Sequence, residues 1–275
     1  MPAMPKVKNI IAALPEPEIL DLESLKAALA DGSVELVCVL GPTASGKTRY
    51  AVQLAHVLGN AEIISADSRQ VYRRMDIGTG KDLSEYGNVP FHLIDITEPG
   101  TQYNVHRFCE DFKLAFNDIR SRGAVPILCG GTGLYISAVT GGYDFRERKP
   151  LSAAPKNTSS EAPKTFFIGT LVSRELRNKR IDARLDARLA EGMTAEIQGL
   201  LDEGVPPEVL ISYGLEYKFV TLYMTGQLDY PQMRERLAIA IHQFAKRQMT
   251  WFRGMERSGV RIHWVDPTLP VSSAD

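Results

Sequence analysis

Apolar and polar positions along this chain switch repeatedly between two periods. Short, nearly continuous apolar runs fall at 36–40, 61–66, 91–96, 124–129, 166–169 and 262–265. Runs of that length and character suit strands buried on both faces of a parallel sheet. Between them the apolar residues return at helical spacing. Residues 49–58 follow this pattern and stop at Gly59-Asn60. Residues 104–122 place Val105, Phe108, Phe112, Ala115, Phe116 and Ile119 on one face. Residues 173–203 form a long charged stretch striped by Ile181, Leu185, Leu189, Ile197, Leu200 and Leu201. Pro206-Pro207 marks a turn, and 208–224 and 231–253 again read as helices. A short amphipathic helix is predicted at 19–29, ending at Asp31-Gly32. The alternation predicts an α/β fold, a parallel sheet flanked by helices, with a helical C-terminal region.

This pattern divides the chain into four parts. Residues 1–33 are an N-terminal extension and 34–145 an α/β core. Residues 146–164 form a linker rich in Pro, Ser, Ala and Lys, and 165–275 supply a returning strand and a basic helical region.

Composition narrows the class. The 275 residues carry 44% apolar and 24% charged residues, ordinary for a globular protein, and a net charge of −1. No global field attracts a polyanion, so any such site is a local patch. Cys38, Cys109 and Cys129 are too scattered for a metal pattern or a disulfide framework. They suit a reducing compartment, and a cytoplasmic monomer is expected. No stretch approaches the roughly 20 apolar residues of a membrane span, so no membrane partner is expected.

The chemistry concentrates at strand ends. Gly41-Pro42-Thr43-Ala44-Ser45-Gly46-Lys47-Thr48 is a complete phosphate loop, set between an apolar strand and a helix. Glycines let backbone N–H groups turn inward around a phosphate, and the helix N-terminus adds positive potential. Lys47 supplies a mobile cation and the Thr48 hydroxyl a ligand for Mg²⁺. Asp67-Ser68 closes the second strand, where a carboxylate serves as a general base, a metal ligand or simply an N-cap. In Asp76-Ile77-Gly78-Thr79-Gly80-Lys81, Lys81 is placed either to reach phosphate or to sit in a plain turn. Gly130-Gly131-Thr132-Gly133 sets a second glycine cluster on the same rim. Residues 234–261 hold seven Lys and Arg against two acidic residues. Within them Lys246, Arg247 and Arg253 are interleaved with Phe244, Trp251 and Phe252. That excess suits a polyanion partner, and the aromatics equally suit a core stripe.

Taken together, GPTASGKT at 41–48, ISADSRQVYRRMDIGTGK at 64–81, VPFHLIDITEP at 89–99, GGTGLYISAV at 130–139 and FAKRQMTWFRG at 244–254 resemble the tRNA dimethylallyltransferase family. The resemblance implies a phosphate-loop α/β domain bearing a helical insertion. It implies prenyl transfer from dimethylallyl diphosphate, with Mg²⁺, to the exocyclic amine of an adenosine beside the tRNA anticodon. Residues 41–48 would then cradle diphosphate, with metal at Thr48. Asp67, Lys47 and Thr132 would be catalytic. Asp67, Ser68, Arg69, Gln70, Thr132, Lys246, Arg247 and Arg253 would meet tRNA.

Two departures fall on the tRNA side. The family's helical insertion shrinks to 146–164. The arginine that relatives place before a glycine-tyrosine pair has no counterpart at 210–215, because no arginine occurs between Arg188 and Arg234. Competing readings are a prenyltransferase for a free adenine nucleotide, an ATP-using phosphate-loop kinase, and an RNA-binding paralogue without turnover.

Overall fold

A computed structural model of the chain describes residues 14–141, 143–144, 149–150 and 162–271. The strands are β1 (Leu36–Leu40), β2 (Ala61–Ser65), β3 (Phe91–His92), β4 (Val125–Gly130), β5 (Tyr143–Asp144), β6 (Lys149–Pro150), β7 (Thr165–Thr170) and β8 (Ile262–Val265). The helices are α1 (Leu22–Ala30), α2 (Lys47–Leu58), α3 (Val105–Ser121), α4 (Gly133–Val139), α5 (Arg174–Glu191), α6 (Met193–Asp202), α7 (Pro207–Ser212), α8 (Leu215–Met224) and α9 (Tyr230–Arg257).

Six strands form one sheet in the order β3-β2-β4-β1-β7-β8, and every pairing in it is parallel. The central β1 pairs with β4 through Cys38↔Leu128 and with β7 through Cys38↔Phe167. Both β1 and β2 are buried along their full length, which is why their apolar runs show no alternation. On one face pack α1 and α2, through Leu22, Leu25, Tyr50, Ala51 and Leu54. On the other pack α3, α4 and the end of α9, through Phe108, Phe112, Ile136, Phe252 and Met255. The remaining helical region has its own core of Ile181, Leu185, Met193, Ile197, Leu210, Tyr217, Val220, Leu237 and Ile241. That core also takes Val71, Tyr72 and Met75 from the segment after β2, and this shared packing seats the helices over the carboxyl ends of the strands.

Local sequence sets the boundaries. The Asn104 side chain caps α3 by accepting the Arg107 N–H at 3.1 Å. Asp229 and Gln232 form a reciprocal capping box at the start of α9. The expected helical stretch 173–203 is two helices, α5 and α6, because Gly192 lies at φ 117° between them. The stretch 208–224 is likewise α7 and α8, divided at Gly214 with φ 77°.

The strand expected at 91–96 is shortened to Phe91–His92. Leu93 and Asp95 both take positive φ, at 61° and 56°, which an extended run does not allow. Asp95 instead receives the Lys81 ammonium on its carboxylate and the Arg73 Nε–H on its carbonyl. The expected linker falls largely outside the described residues. Near its start, Lys149–Pro150 pairs antiparallel with Tyr143–Asp144.

Candidate active site at the carboxyl ends of the strands

Residues 41–48 leave β1 and turn into α2. Ala44 and Gly46 take positive φ, at 60° and 85°, and Gly46 caps the helix without any side-chain oxygen. The first amides of α2 are therefore left for an anion. The turn is held from behind. Ser45 Oγ and Thr170 Oγ1 share a hydrogen bond of 2.6 Å beneath Gly41. A Cβ on Gly41 would stand 2.2 Å from Thr170 Oγ1, so only glycine fits there. Gln248 of α9 holds the front edge, its Oε1 accepting the Thr43 N–H at 2.8 Å while its Nε2 donates to the Gly131 carbonyl at 2.9 Å.

This loop forms one wall of a cleft. Thr43, Ala44, Gly46, Lys47 and Thr48 line it with Asp67, Arg69 and Gln70 from the end of β2. Thr79, Gly80, Glu85, Tyr86, Cys129 and Gly130 extend the lining. Arg184, Arg188, Glu216, Phe244 and Gln248 of the helical region close it. Burial pushes the Lys47 ammonium below its ordinary range, against the pull of Cys129 and Asp67. Burial, with help from Asp82, raises the Glu85 carboxyl. The Cys129 thiol is raised to about 12 by burial and is no nucleophile.

Asp67 turns on itself, with Oδ1 accepting the Arg69 N–H at 3.0 Å. The Arg69 guanidinium then reaches across the cleft to Glu216, 2.5 Å away. Gln70 bonds inward, accepting from Ser65 Oγ at 3.2 Å. Ser68 and Thr132 meet, the Thr132 hydroxyl accepting the Ser68 N–H at 3.2 Å. That contact lies beside the cleft lining rather than within it.

Lys81, placed by sequence near phosphate or in a turn, takes the turn. Its ammonium is buried and bonds to the Tyr72 carbonyl and to Asp76, each at 2.7 Å, and to Asp95. The turn before Lys81 is held by another carboxylate. Glu196 of α6 accepts the N–H groups of Asp76, Ile77 and Gly78 at 2.8, 2.7 and 3.0 Å. The basic stretch of α9 divides. Lys246 and Arg247 are exposed, outside the cleft lining, and Arg247 lies over the Phe244 ring. Arg253 pairs with Glu256 at 2.7 Å, one turn along its own helix. Trp251 packs on Gly133 and donates to Ser137 at 3.0 Å, while Phe252 is buried in the core.

Sequence reasoning assigned no site role to Arg184, Arg188, Glu216 or Gln248. Gln248 stood inside the quoted basic-aromatic stretch, and the two arginines inside an ordinary charged helix. No local signal distinguishes them from a solvated face.

The family described as IPP transferase matches residues 70–162 and 145–255, and that described as isopentenyl transferase matches 34–86. The tRNA dimethylallyltransferase 1 of Parabacteroides distasonis is 47% identical over 86% of this chain and 94% of its own length. The chain belongs to the tRNA dimethylallyltransferase family. A second relative, the tRNA dimethylallyltransferase 1 of Porphyromonas gingivalis, is also 47% identical, over 86% of this chain and 95% of that protein. Among solved structures of the family, the tRNA isopentenylpyrophosphate transferase of Bacillus halodurans superposes with a TM-score of 0.73. It is 29% identical and covers 85% of this chain and 90% of its own. A eukaryotic dimethylallyltransferase acting on tRNA shares the fold, with a TM-score of 0.71 at 22% identity over 88% of this chain and 76% of its own. The two IPP transferase segments overlap at 145–162, which takes in most of the stretch 146–164 expected to replace the family's insertion.

Proposed function

We propose that this chain transfers a dimethylallyl group from dimethylallyl diphosphate to the exocyclic amine of an adenosine beside the tRNA anticodon. The observation that carries the reading is the joining of the phosphate loop and Asp67 in one cleft. A leaving-group cradle and a proton acceptor thereby face one space.

The amine nitrogen attacks the first carbon of the prenyl group as the bond from that carbon to oxygen breaks. The electron pair of that bond leaves on the diphosphate. Lys47 and the loop amides hold the charge that develops there. Asp67 accepts a hydrogen bond from the amine and then its proton. The base reaches this position only when drawn out of the anticodon stack, because its amine is otherwise covered.

The oxygen donors Thr48, Asp67 and Glu85 line the cleft together. Among the described residues no group of three or more His, Cys, Asp or Glu is gathered as a metal cage. That combination fits Mg²⁺, which takes few protein oxygens and completes its shell with phosphate oxygens and water. Held at Thr48 with the diphosphate, the ion would neutralise leaving-group charge. Among the described residues no helix is long and apolar enough to cross a membrane.

The test is transfer of labelled prenyl from dimethylallyl diphosphate, with Mg²⁺, to unmodified tRNA and adenosine monophosphate offered together. Label in tRNA is the expected result. Label only in the nucleotide would replace tRNA as acceptor, and label in neither would remove prenyl transfer.

A further inference from the structure

The turn at 76–80 stands between the helical region and the cleft. Its outer side is gripped by α6 and α8. Glu196 Oε2 accepts the N–H groups of Asp76 and Ile77 at 2.8 and 2.7 Å. Its Oε1 accepts the Gly78 N–H at 3.0 Å and the Tyr217 hydroxyl at 2.7 Å. Four neutral donors thus share one carboxylate, and three of them are consecutive backbone amides. A Cβ on Gly78 would lie 2.8 Å from the Tyr217 ring and from its hydroxyl oxygen, so the turn rests directly against that side chain. Tyr217 is itself fully buried in the core of the helical region.

The inner side of the turn meets the cleft, which Thr79 and Gly80 help to line. The Gly80 carbonyl accepts Gln70 Nε2 at 3.5 Å, while Ser65 Oγ donates to the other end of that amide. Gly80 also gives room to a guanidinium, since a Cβ there would lie 1.6 Å from Arg188 Nη2. Arg188 in turn pairs with Glu216 at 3.5 Å. Moving the turn would therefore move cleft groups that come from the sheet and from α5. The phosphate loop has separate anchors, at Thr170 and Gln248, and would stay in place. Glu196 itself is not among the residues lining the cleft.

We propose that Glu196, with Tyr217 behind it, is a positioning residue for the transfer step. By gripping 76–78 it sets where Gly80 and Gln70 stand relative to the phosphate loop, and so the line along which the acceptor amine meets the prenyl carbon. This rests on the prenyl-transfer reading. Glu196 makes and breaks no bond and takes no proton in the reaction.

The experiment measures kcat and KM for prenyl transfer to unmodified tRNA by the wild-type chain, Glu196→Gln, Gly78→Ala and Tyr217→Phe. Inorganic diphosphate with Mg²⁺ is titrated calorimetrically into the same proteins, and thermal unfolding fixes a temperature at which each is folded. Glutamine keeps the size of the side chain but turns donors towards donors. Displacement of a cleft group by about 1 Å costs up to roughly 100-fold, so Glu196→Gln should lower kcat about 10- to 100-fold with diphosphate affinity nearly unchanged. Gly78→Ala keeps the carboxylate and pushes the turn off Tyr217, and kcat should fall in the same direction. Tyr217→Phe removes one donor of four and should give the smallest fall. A wild-type kcat in folded Glu196→Gln, with only the unfolding temperature lowered, overturns the proposal. Diphosphate affinity that falls in step with kcat overturns it too, because the phosphate loop would then have moved. Should Glu196→Gln fail to fold, wild-type kcat in both Gly78→Ala and Tyr217→Phe overturns it. A wild-type chain that transfers prenyl to neither tRNA nor adenosine monophosphate would remove the prenyl-transfer reading, and this role with it.

Discussion

The wall at 41–48 is a run of consecutive residues shaped by backbone, with two positive φ values and amides left free at a helix start. The facing wall takes Arg69, Arg184, Arg188, Glu216, Phe244 and Gln248 from well-separated stretches and is shaped by side chains. Each wall fails differently when altered. A backbone cradle survives most side-chain changes and answers to glycine and proline. A side-chain wall depends on each partner, because a charge left buried without its counterion is costly.

The largest effect expected is on the reacting groups between the walls. Asp67→Asn keeps the oxygen that accepts the Arg69 N–H and removes the proposed proton acceptor. Turnover should fall by roughly 10²- to 10⁴-fold with diphosphate affinity nearly unchanged. Single-turnover kinetics beside diphosphate titration checks this, and wild-type turnover would move the base elsewhere.

Next comes Glu216→Ala, which takes the buried carboxylate from two half-buried guanidiniums of the side-chain wall. Removing one member of a buried ion pair costs about 3–5 kcal/mol, read as a lower denaturant midpoint. A midpoint equal to wild type would mean that apolar packing alone holds that wall.

Gln248→Leu tests the place where the walls join. The Thr43 N–H and the Gly131 carbonyl both lose their partner, at about 1–3 kcal/mol for groups left unsatisfied. A loosened phosphate loop should appear as a raised KM for the prenyl donor. A change confined to kcat would place the amide closer to the reacting atoms.

The smallest effect is expected outside both walls. Neutralising exposed Lys246 and Arg247 together should flatten the salt dependence of RNA binding by about 0.7–0.9 in log–log slope per side chain. An unchanged slope would put the RNA footprint on another surface.

The same contrast explains what the sequence makes legible. Residues 41–48 are contiguous, and their chemistry lies in spacing, so the strand, loop and helix can be read off directly. Asp67 is visible because a carboxylate at the end of a buried run has a known place in such sheets. The facing wall has no such grammar. Thr43 and Gln248 are 205 positions apart, and Arg184 and Arg188 repeat like any solvated helical charge. Glu216 and Glu196 look like surface acids, yet one pairs two arginines and the other caps three backbone amides. The short β3 was misread for a related reason. Ile94 and Ile96 continue its apolar run, but the polar grip on Asp95 bends the chain out of the sheet.

The order of the sheet has a consequence for how the protein is made. β7 and β8 lie side by side, yet the whole span from α5 to α9 separates them along the chain. A nascent chain that has emerged as far as Arg257 has completed every element bearing a cleft residue but still shows one bare edge of β7. Only when Ile262–Val265 follows does that edge close, with Trp264 settling over Gly169 and its carbonyl taking the Glu18 amide from the other end of the chain. Until then the half-finished molecule offers a row of unpaired amides and carbonyls to any neighbour. A released chain cut off just short of β8 would therefore keep every cleft-lining residue and leave that edge of β7 uncovered.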